Sequence, residues 1–177
     1  MDDLINKAKN GDKTAFTYLI QDIQNDLYRI AKTRLSDDND ISDAIQETMI
    51  NAYRNIKKLK NSDTFKSWII KILINECNKI YKKKFKNKNI FNKLIKETPD
   101  YGSDNSIQNS NYKIDFELMI DKLSYDEKLI VTLYYNSNYS CNEIADILNM
   151  NANTVKSKLL RTKDKIKKYY KGGIYNG

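Results

Sequence analysis

Residues 140–170, SCNEIADILNMNANTVKSKLLRTKDKIKKYY, constrain the fold more than any other stretch of this chain. They read as a short amphipathic helix, a tight turn and a longer helix with a basic outer side. Ser140 stands at an N-cap position, and Glu143 three residues later completes a capping box that ties up two orphan amides. Ile144, Ile147 and Leu148 fall at i, i+3 and i+4, one buried stripe. Ala145 is small where a crossing helix approaches. The helix should stop at Asn149-Met150-Asn151, because Asn tolerates left-handed turns, and Asn151 can cap the helix that follows. Two crossed helices joined by about three or four residues make a helix-turn-helix.

The second helix sorts by angle, at about 100° per residue. With Val155 at zero, Leu159, Thr162 and Ile166 lie within roughly 40° and face the core. Lys156, Ser157, Leu160 and Arg161 point the other way. Two cations, a hydroxyl and one aliphatic group suit a DNA major groove, where Arg or Lys reads guanine and an apolar side chain meets a thymine methyl. Asn153 and Thr154, at the helix start, are placed for phosphates, which the helix dipole also favours. From Lys156 to Lys171 there are eight Lys/Arg against one acid, Asp164. Charge alone would equally fit a solvated surface helix; the capping box, the turn and an exposed Leu160 between cations favour DNA.

A formal charge of +8 points to a polyanionic partner without separating DNA from RNA or a membrane surface. No apolar run is long enough to span a bilayer, and the start, MDDLINKAKNGD, is polar, so a cytoplasmic protein with no membrane role is expected. Histidine is absent, and Cys77 and Cys141 are too far apart in sequence for metal-ligand spacing. That removes His-dependent triads and Cys/His zinc sites. Glycines are few and unclustered, so there is no phosphate loop. The expectation is no enzyme, no metal and no cofactor.

Apolar spacing is helical nearly throughout, and proline and glycine are scarce. The chain reads as all-α: two small helical domains joined by a flexible linker. The first domain spans 1–85, the linker 86–112 and the helix-turn-helix domain 113–177. The linker contains the only proline, Pro99, then Tyr101-Gly102-Ser103 and a run of Asn, Ser and Gln. A weak helix at 90–95 fits inside it. Helices are expected near Asp2–Asn10, Lys13–Leu35, Ile41–Ile56 and Thr64–Lys84. The third should bury Ile41, Ala44, Ile45, Thr48, Met49, Ala52 and Tyr53, leaving Asp43, Gln46, Glu47, Asn51 and Arg54 outside. The fourth should bury Trp68, Ile69, Ile72, Leu73 and Ile80. It ends in Lys79, Lys82, Lys83 and Lys84, which complement the helix dipole or contact a nucleic-acid backbone.

Two separated segments share a family pattern in the right order. The first is Asp40-Ile41-Ser42-Asp43-Ala44-Ile45-Gln46-Glu47-Thr48-Met49-Ile50-Asn51-Ala52-Tyr53-Arg54, followed by Phe65-Lys66-Ser67-Trp68-Ile69 and Asn75. The second is Leu123-Ser124, Glu143-Ile144-Ala145 and Thr154-Val155-Lys156-Ser157. Together they resemble bacterial sigma factors of the extracytoplasmic-function (ECF) type in the sigma-70 family.

The resemblance implies a promoter-specificity subunit whose partners are RNA polymerase core, through its clamp helices and flap, and promoter DNA. An anti-sigma factor is a common further partner in that family. It gives Asp43, Gln46, Glu47, Asn51 and Arg54 to the polymerase-docking surface. It gives the loop Lys60, Asn61, Ser62, Asp63 and Thr64, with Trp68, Lys79, Lys82 and Lys83, to the minus-ten element. Asn153, Thr154, Lys156, Ser157, Leu160 and Arg161 fall to the minus-thirty-five element, in agreement with the angular argument. The family's usual Leu-Pro before the last domain is Leu123-Ser124 here, and Ser124 can cap with Glu127 in the box position. Lysines stand where the family often has Asp and Arg late in the melting helix, and lysine lacks arginine's planar fork. The rival readings are a dimeric helix-turn-helix activator or repressor, and a non-specific RNA-binding protein.

Overall fold

The computed structural model describes residues 1–94 and 122–173. The described residues are helical with no strand. Four helices make the first module: α1 (Asp2–Lys9), α2 (Lys13–Lys32), α3 (Asp38–Asn55) and α4 (Phe65–Leu94). Three make the second: α5 (Tyr125–Val131), α6 (Cys141–Leu148) and α7 (Ala152–Gly173).

Local chemistry sets the helix starts. Asp12 caps α2 by accepting the Ala15 amide at 3.0 Å, after a turn in which Gly11 takes φ +96°. Asp37 caps α3 by accepting the amides of Asn39 and Asp40, so α3 begins at Asp38 and not at Ile41 as expected. The apolar pattern could not show this, because the first turn of α3 is wholly polar. Asn61 opens a short 3-10 turn, Ser62–Thr64, that leads into α4.

The core of the first module is the stripe of α2 (Phe16, Leu19, Ile20, Ile23, Leu27, Ile30) against Ile41, Ala44 and Ala52 of α3 and Phe65, Ile69, Ile70 and Leu73 of α4. Thr48 is fully buried, with its hydroxyl donated to the Ala44 carbonyl at 2.6 Å, which removes the cost of an unpaired polar group. Ile45, Met49 and Tyr53 were expected inside but are half-buried at the rim of the α3 stripe.

α4 departs furthest from expectation. It runs through Leu94, so residues 86–94 continue the helix where a linker was expected. Nothing between Lys86 and Leu94 is a glycine or proline, and a helix without a breaker propagates. The proposed short helix at 90–95 is part of α4 as far as Leu94. The rest of the expected linker, and its boundary with the second domain, lie outside the described residues.

The buried residues of the second module, Leu129, Leu133, Ile144, Ile147 and Val155, are continuous with the core of the first. Between α5 and α6 the chain forms a π-helical turn, Thr132–Asn136, closed by the Ser137 amide on the Thr132 carbonyl at 3.2 Å. The two modules touch. Arg34 carries its guanidinium 3.7 Å from the ring centroid of Tyr81 on α4 and 4.2 Å from that of Tyr125 on α5. The Ser137 hydroxyl donates to Asp26 of α2 at 3.1 Å.

Candidate nucleic-acid interface

The helix-turn-helix is built as the sequence suggests. Ser140 accepts the Glu143 amide while the Glu143 carboxylate accepts the Ser140 amide at 2.8 Å, a complete capping box. Asn149 ends α6 in the left-handed region at φ 54°, and the Met150 amide closes on the Ala145 carbonyl at 2.9 Å. Asn151 then caps α7 by accepting the Asn153 amide at 2.8 Å. A second capping box, Ser124 with Glu127, opens α5 at the place where the family usually has proline.

Both box carboxyls are held below the ordinary carboxylate value of 4.5. The Ser140 hydroxyl and amide lower Glu143. For Glu127, burial pushes upward, and bonds from Lys165 and Ser124 more than reverse it. A depressed folded value adds stability that is full above the unfolded value and is lost as pH falls through the folded one. Acid titration of the second module should therefore show helix loss beginning below about pH 4.5. Glu143→Gln keeps the box acceptor and should remove part of that pH dependence, which far-UV circular dichroism reads directly.

On α7, Val155 and Thr162 are fully buried, and Thr162 donates to the Lys158 carbonyl at 2.8 Å. Asn153, Thr154, Lys156, Ser157, Leu160 and Arg161 are all exposed, Leu160 by 61%. A shallow depression of about 290 Å³ lies among Asn153, Thr154, Ser157, Lys158 and Arg161. The lysines of this helix divide into two groups. Lys158 is bound to Asp126 at 2.7 Å and Lys165 to Glu127 at 2.5 Å, which fastens α7 to α5. Among the described residues no acid pairs with Lys156 or Arg161. Those two cations keep their charge for a ligand.

In the first module, α3 and α4 enclose a groove of about 650 Å³. Its walls carry four amides (Asn51, Asn55, Asn75 and Asn78), the Trp68 ring, and Lys58, Lys79 and Lys82. Trp68 is half-buried, with its ring 6.2 Å from that of Phe65, so one part of it packs while another faces the groove. Glu76 is 8% exposed at the base and accepts both the Asn51 amide at 3.0 Å and the Lys79 ammonium at 2.9 Å.

Two expected residues are therefore placed differently from the sequence reading. Asn51 is half-buried and turned to Glu76, not outward with its neighbours on α3. Lys79 is tied to a carboxylate one turn away. The loop residues Lys60, Asn61, Ser62, Asp63 and Thr64 stand at the N-terminal end of α4, and none of them lines the groove. Lys82 and Lys83 are exposed, and Lys82 lines the groove. Asn55 and Asn78 were not anticipated; the signal for Asn78 is an i, i+3, i+4, i+7 row on α4 of Asn75, Asn78, Lys79 and Lys82, and Asn55 lies one turn after Asn51 on α3.

The outer face of α3 presents Asp43, Gln46, Glu47 and Arg54, all exposed, around Ile50, which is 42% exposed. Ile50 went unremarked in the sequence. An apolar residue ringed by charge is a common centre for protein contact.

The sequence profile described as Sigma-70 region 2 matches residues 19–85, and the one described as Sigma-70, region 4 matches residues 113–166. The chain belongs to the sigma-70 family, in its ECF group. It is similar to the RNA polymerase sigma factor SigV of Bacillus subtilis, 30% identical over 88% of this chain and 90% of that protein. It is also similar to the ECF RNA polymerase sigma-E factor of Haemophilus influenzae, 27% identical over 92% of this chain and 91% of the other.

Two solved structures share the fold of this sigma factor. The sigma factor RpoE of Bartonella quintana, in complex with the anti-sigma factor NepR, has a TM-score of 0.71 at 20% identity and covers 88% of this chain and 96% of its own. CnrH, in complex with the cytosolic domain of CnrY, has a TM-score of 0.70 at 16% identity over 96% of each chain. This sigma factor therefore binds RNA polymerase and DNA and directs promoter-specific initiation of transcription; family membership displaces the dimeric activator. Sigma factors are initiation factors without catalytic chemistry. No described helix is long and apolar enough to cross a membrane.

Proposed function

We propose a division of labour between the two modules of this sigma factor. The first grips core polymerase through Asp43, Gln46, Glu47, Ile50 and Arg54 on α3, and takes single-stranded minus-ten bases into the α3–α4 groove. The second reads the minus-thirty-five duplex with α7. Neither module performs chemistry, and the working place is the cytoplasm, where the polymerase is. An anti-sigma factor is a fitting further partner, since the two solved relatives above were each captured with a second protein.

The observation that carries this reading is the sorting of charge on α7. Lysines that face α5 are neutralised, while Lys156 and Arg161 flank an exposed Leu160. In the first module, amide side chains line a groove beside an accessible indole, a set that can hydrogen-bond and stack with unpaired bases. Pulling bases from the stack costs a few kcal/mol, which such contacts must offset. Lysines around the groove add affinity through counterion release.

Run-off transcription on genomic fragments with purified core polymerase tests the proposal: the chain should confer defined start sites, and a failure to redirect initiation ends it. Arg161→Ala should cost roughly 1–3 kcal/mol at one base position and relax specificity there. A uniform loss across all minus-thirty-five variants would make Arg161 a phosphate contact instead.

A further inference from the structure

We infer that Glu76 sets the base preference of the α3–α4 groove. By holding Asn51 with its carbonyl oxygen toward the groove, it makes the α3 wall select an unpaired base that carries an exocyclic amino group and reject thymine. This rests on the groove's taking the minus-ten strand, as proposed above, and adds which bases the α3 wall accepts.

A free asparagine is a poor judge of bases. Its amide has a donor end and an acceptor end, and by rotating it can meet either kind of base edge. Discrimination needs a neighbour that forbids one of the two orientations. On α3 both groove amides have such a neighbour. Asn51 Nδ2 donates at 3.0 Å to the Glu76 carboxylate, which can only accept. Asn55 Nδ2 donates at 2.9 Å to the backbone carbonyl of Asn51, which likewise can only accept. The two residues lie one turn apart on α3 and both line the groove. Their amino ends are spent on the protein, and their carbonyl oxygens are left for a ligand. Among the described residues no hydrogen bond occupies either oxygen, and neither is sealed in the core.

Glu76 is itself held firmly. It is 8% exposed on the groove floor, and Lys79 donates at 2.9 Å to the same oxygen, Oε1, that receives Asn51. The carboxylate is therefore pinned from two sides. The opposite wall differs: Asn75 and Asn78 make no side-chain hydrogen bond among the described residues, so their amides turn to suit the base.

Thymine alone among the DNA bases has no amino group, and its ring N–H sits between two carbonyl oxygens. Set against Asn51 and Asn55, oxygen meets oxygen, and a desolvated acceptor is left unpaired. Adenine, cytosine and guanine each bring an amino group that can donate to the waiting carbonyl. Trp68 stacks with any base and adds affinity without choosing. Glu76 is thus a positioning residue that acts through Asn51.

Holoenzyme, assembled from this chain and core polymerase, tests this on fork-junction DNA with an unpaired minus-ten non-template strand. Each adenine is replaced in turn by purine, each cytosine by 2-pyrimidinone and each guanine by hypoxanthine, which keep the ring and lose the amino group. At one position the loss should weaken wild-type binding about tenfold. Asn51→Leu and Glu76→Met should shrink that ratio to within about twofold. Glu76→Gln should keep it, because its oxygen still accepts from Asn51 and Lys79. A Lys79 freed by Glu76→Met strengthens phosphate contact with every base alike, so it cancels in the ratio.

The inference is overturned if amino removal costs nothing at any position, or if Asn51→Leu or a folded Glu76→Met discriminates like wild type. It is equally overturned if Glu76→Gln is as indiscriminate as Glu76→Met, since the charge and not the acceptor would then govern the site. Lys82→Glu, on the exposed rim of the groove, separates this from the underlying reading. If that variant binds every fork as wild type does, the groove does not hold the strand and both readings fall. If it weakens every fork alike, the groove reading stands and the ratio alone decides the role of Glu76.

Discussion

Replacing Asp43 and Glu47 together by lysine is expected to abolish retention of core RNA polymerase while leaving the helical fold intact. The acids of α3 serve two purposes. Asp37 caps the helix, and Asp37 and Asp40 both receive Lys84 from α4, so these carboxylates are committed to the fold. Asp43 and Glu47 lie one turn further on, both are exposed, and among the described residues neither has an ion partner. Removing an exposed, unpaired charge changes stability by no more than about 0.5 kcal/mol. At an interface the arithmetic differs, because a desolvated charge pair that loses one partner costs on the order of 2–5 kcal/mol, and a reversal adds repulsion. The double change should weaken polymerase binding by more than about a hundredfold, a loss of roughly 2.7 kcal/mol or more. A pulldown with purified core reads it, and circular dichroism confirms the fold. Retention at the wild-type level would move the docking surface off this face of α3.

That face was legible in the sequence because helical periodicity assigns sides: once Ile41, Ala44, Thr48 and Ala52 are inside, the polar residues between them have to be outside. The second module was legible for a similar reason. Ser140, Glu143, Asn149 and Asn151 each act on amides within a few residues, so the turn is written in local chemistry.

What the sequence could not show is long-range. Arg34, Asp26 and Ser137 each look like ordinary solvated residues, and only the tertiary fold reveals that they join two modules. Asn51 belongs by angle at the edge of the polar face, and it turns inward because Glu76, 25 residues away, offers an acceptor. Lys79 was counted as a free cation for the same reason, since its partner is an acid that the apolar pattern of α4 buries without comment. The end of α4 was misplaced because polarity was taken as the signal of a linker. Polar residues extend a helix readily when no proline or glycine intervenes.

A clear separation of stability from recognition is expected between Phe65→Ala and Leu160→Ala. Phe65 is 1% exposed, begins α4, and lies immediately after the loop of Lys60 to Thr64. Its ring lies 6.2 Å from that of Trp68 within the buried core, so truncation removes buried area and leaves a cavity. Such a change costs about 3–5 kcal/mol, a large part of the 5–15 kcal/mol that a domain has. The melting temperature should fall by roughly 6–20 °C. The loop and the indole lose their anchor with it, so minus-ten function should fail at temperatures where the wild type is folded.

Leu160, by contrast, is 61% exposed on the free side of α7. Its truncation should leave stability within about 0.5 kcal/mol of wild type. Promoter selection should nonetheless weaken at a thymine-containing position of the minus-thirty-five element, where the methyl contact is lost. Differential scanning calorimetry and run-off transcription on paired promoter variants measure the two effects side by side. A Phe65→Ala chain that melts with the wild type, or a Leu160→Ala chain that loses stability but not selectivity, would reverse the assignment of core and reading surface.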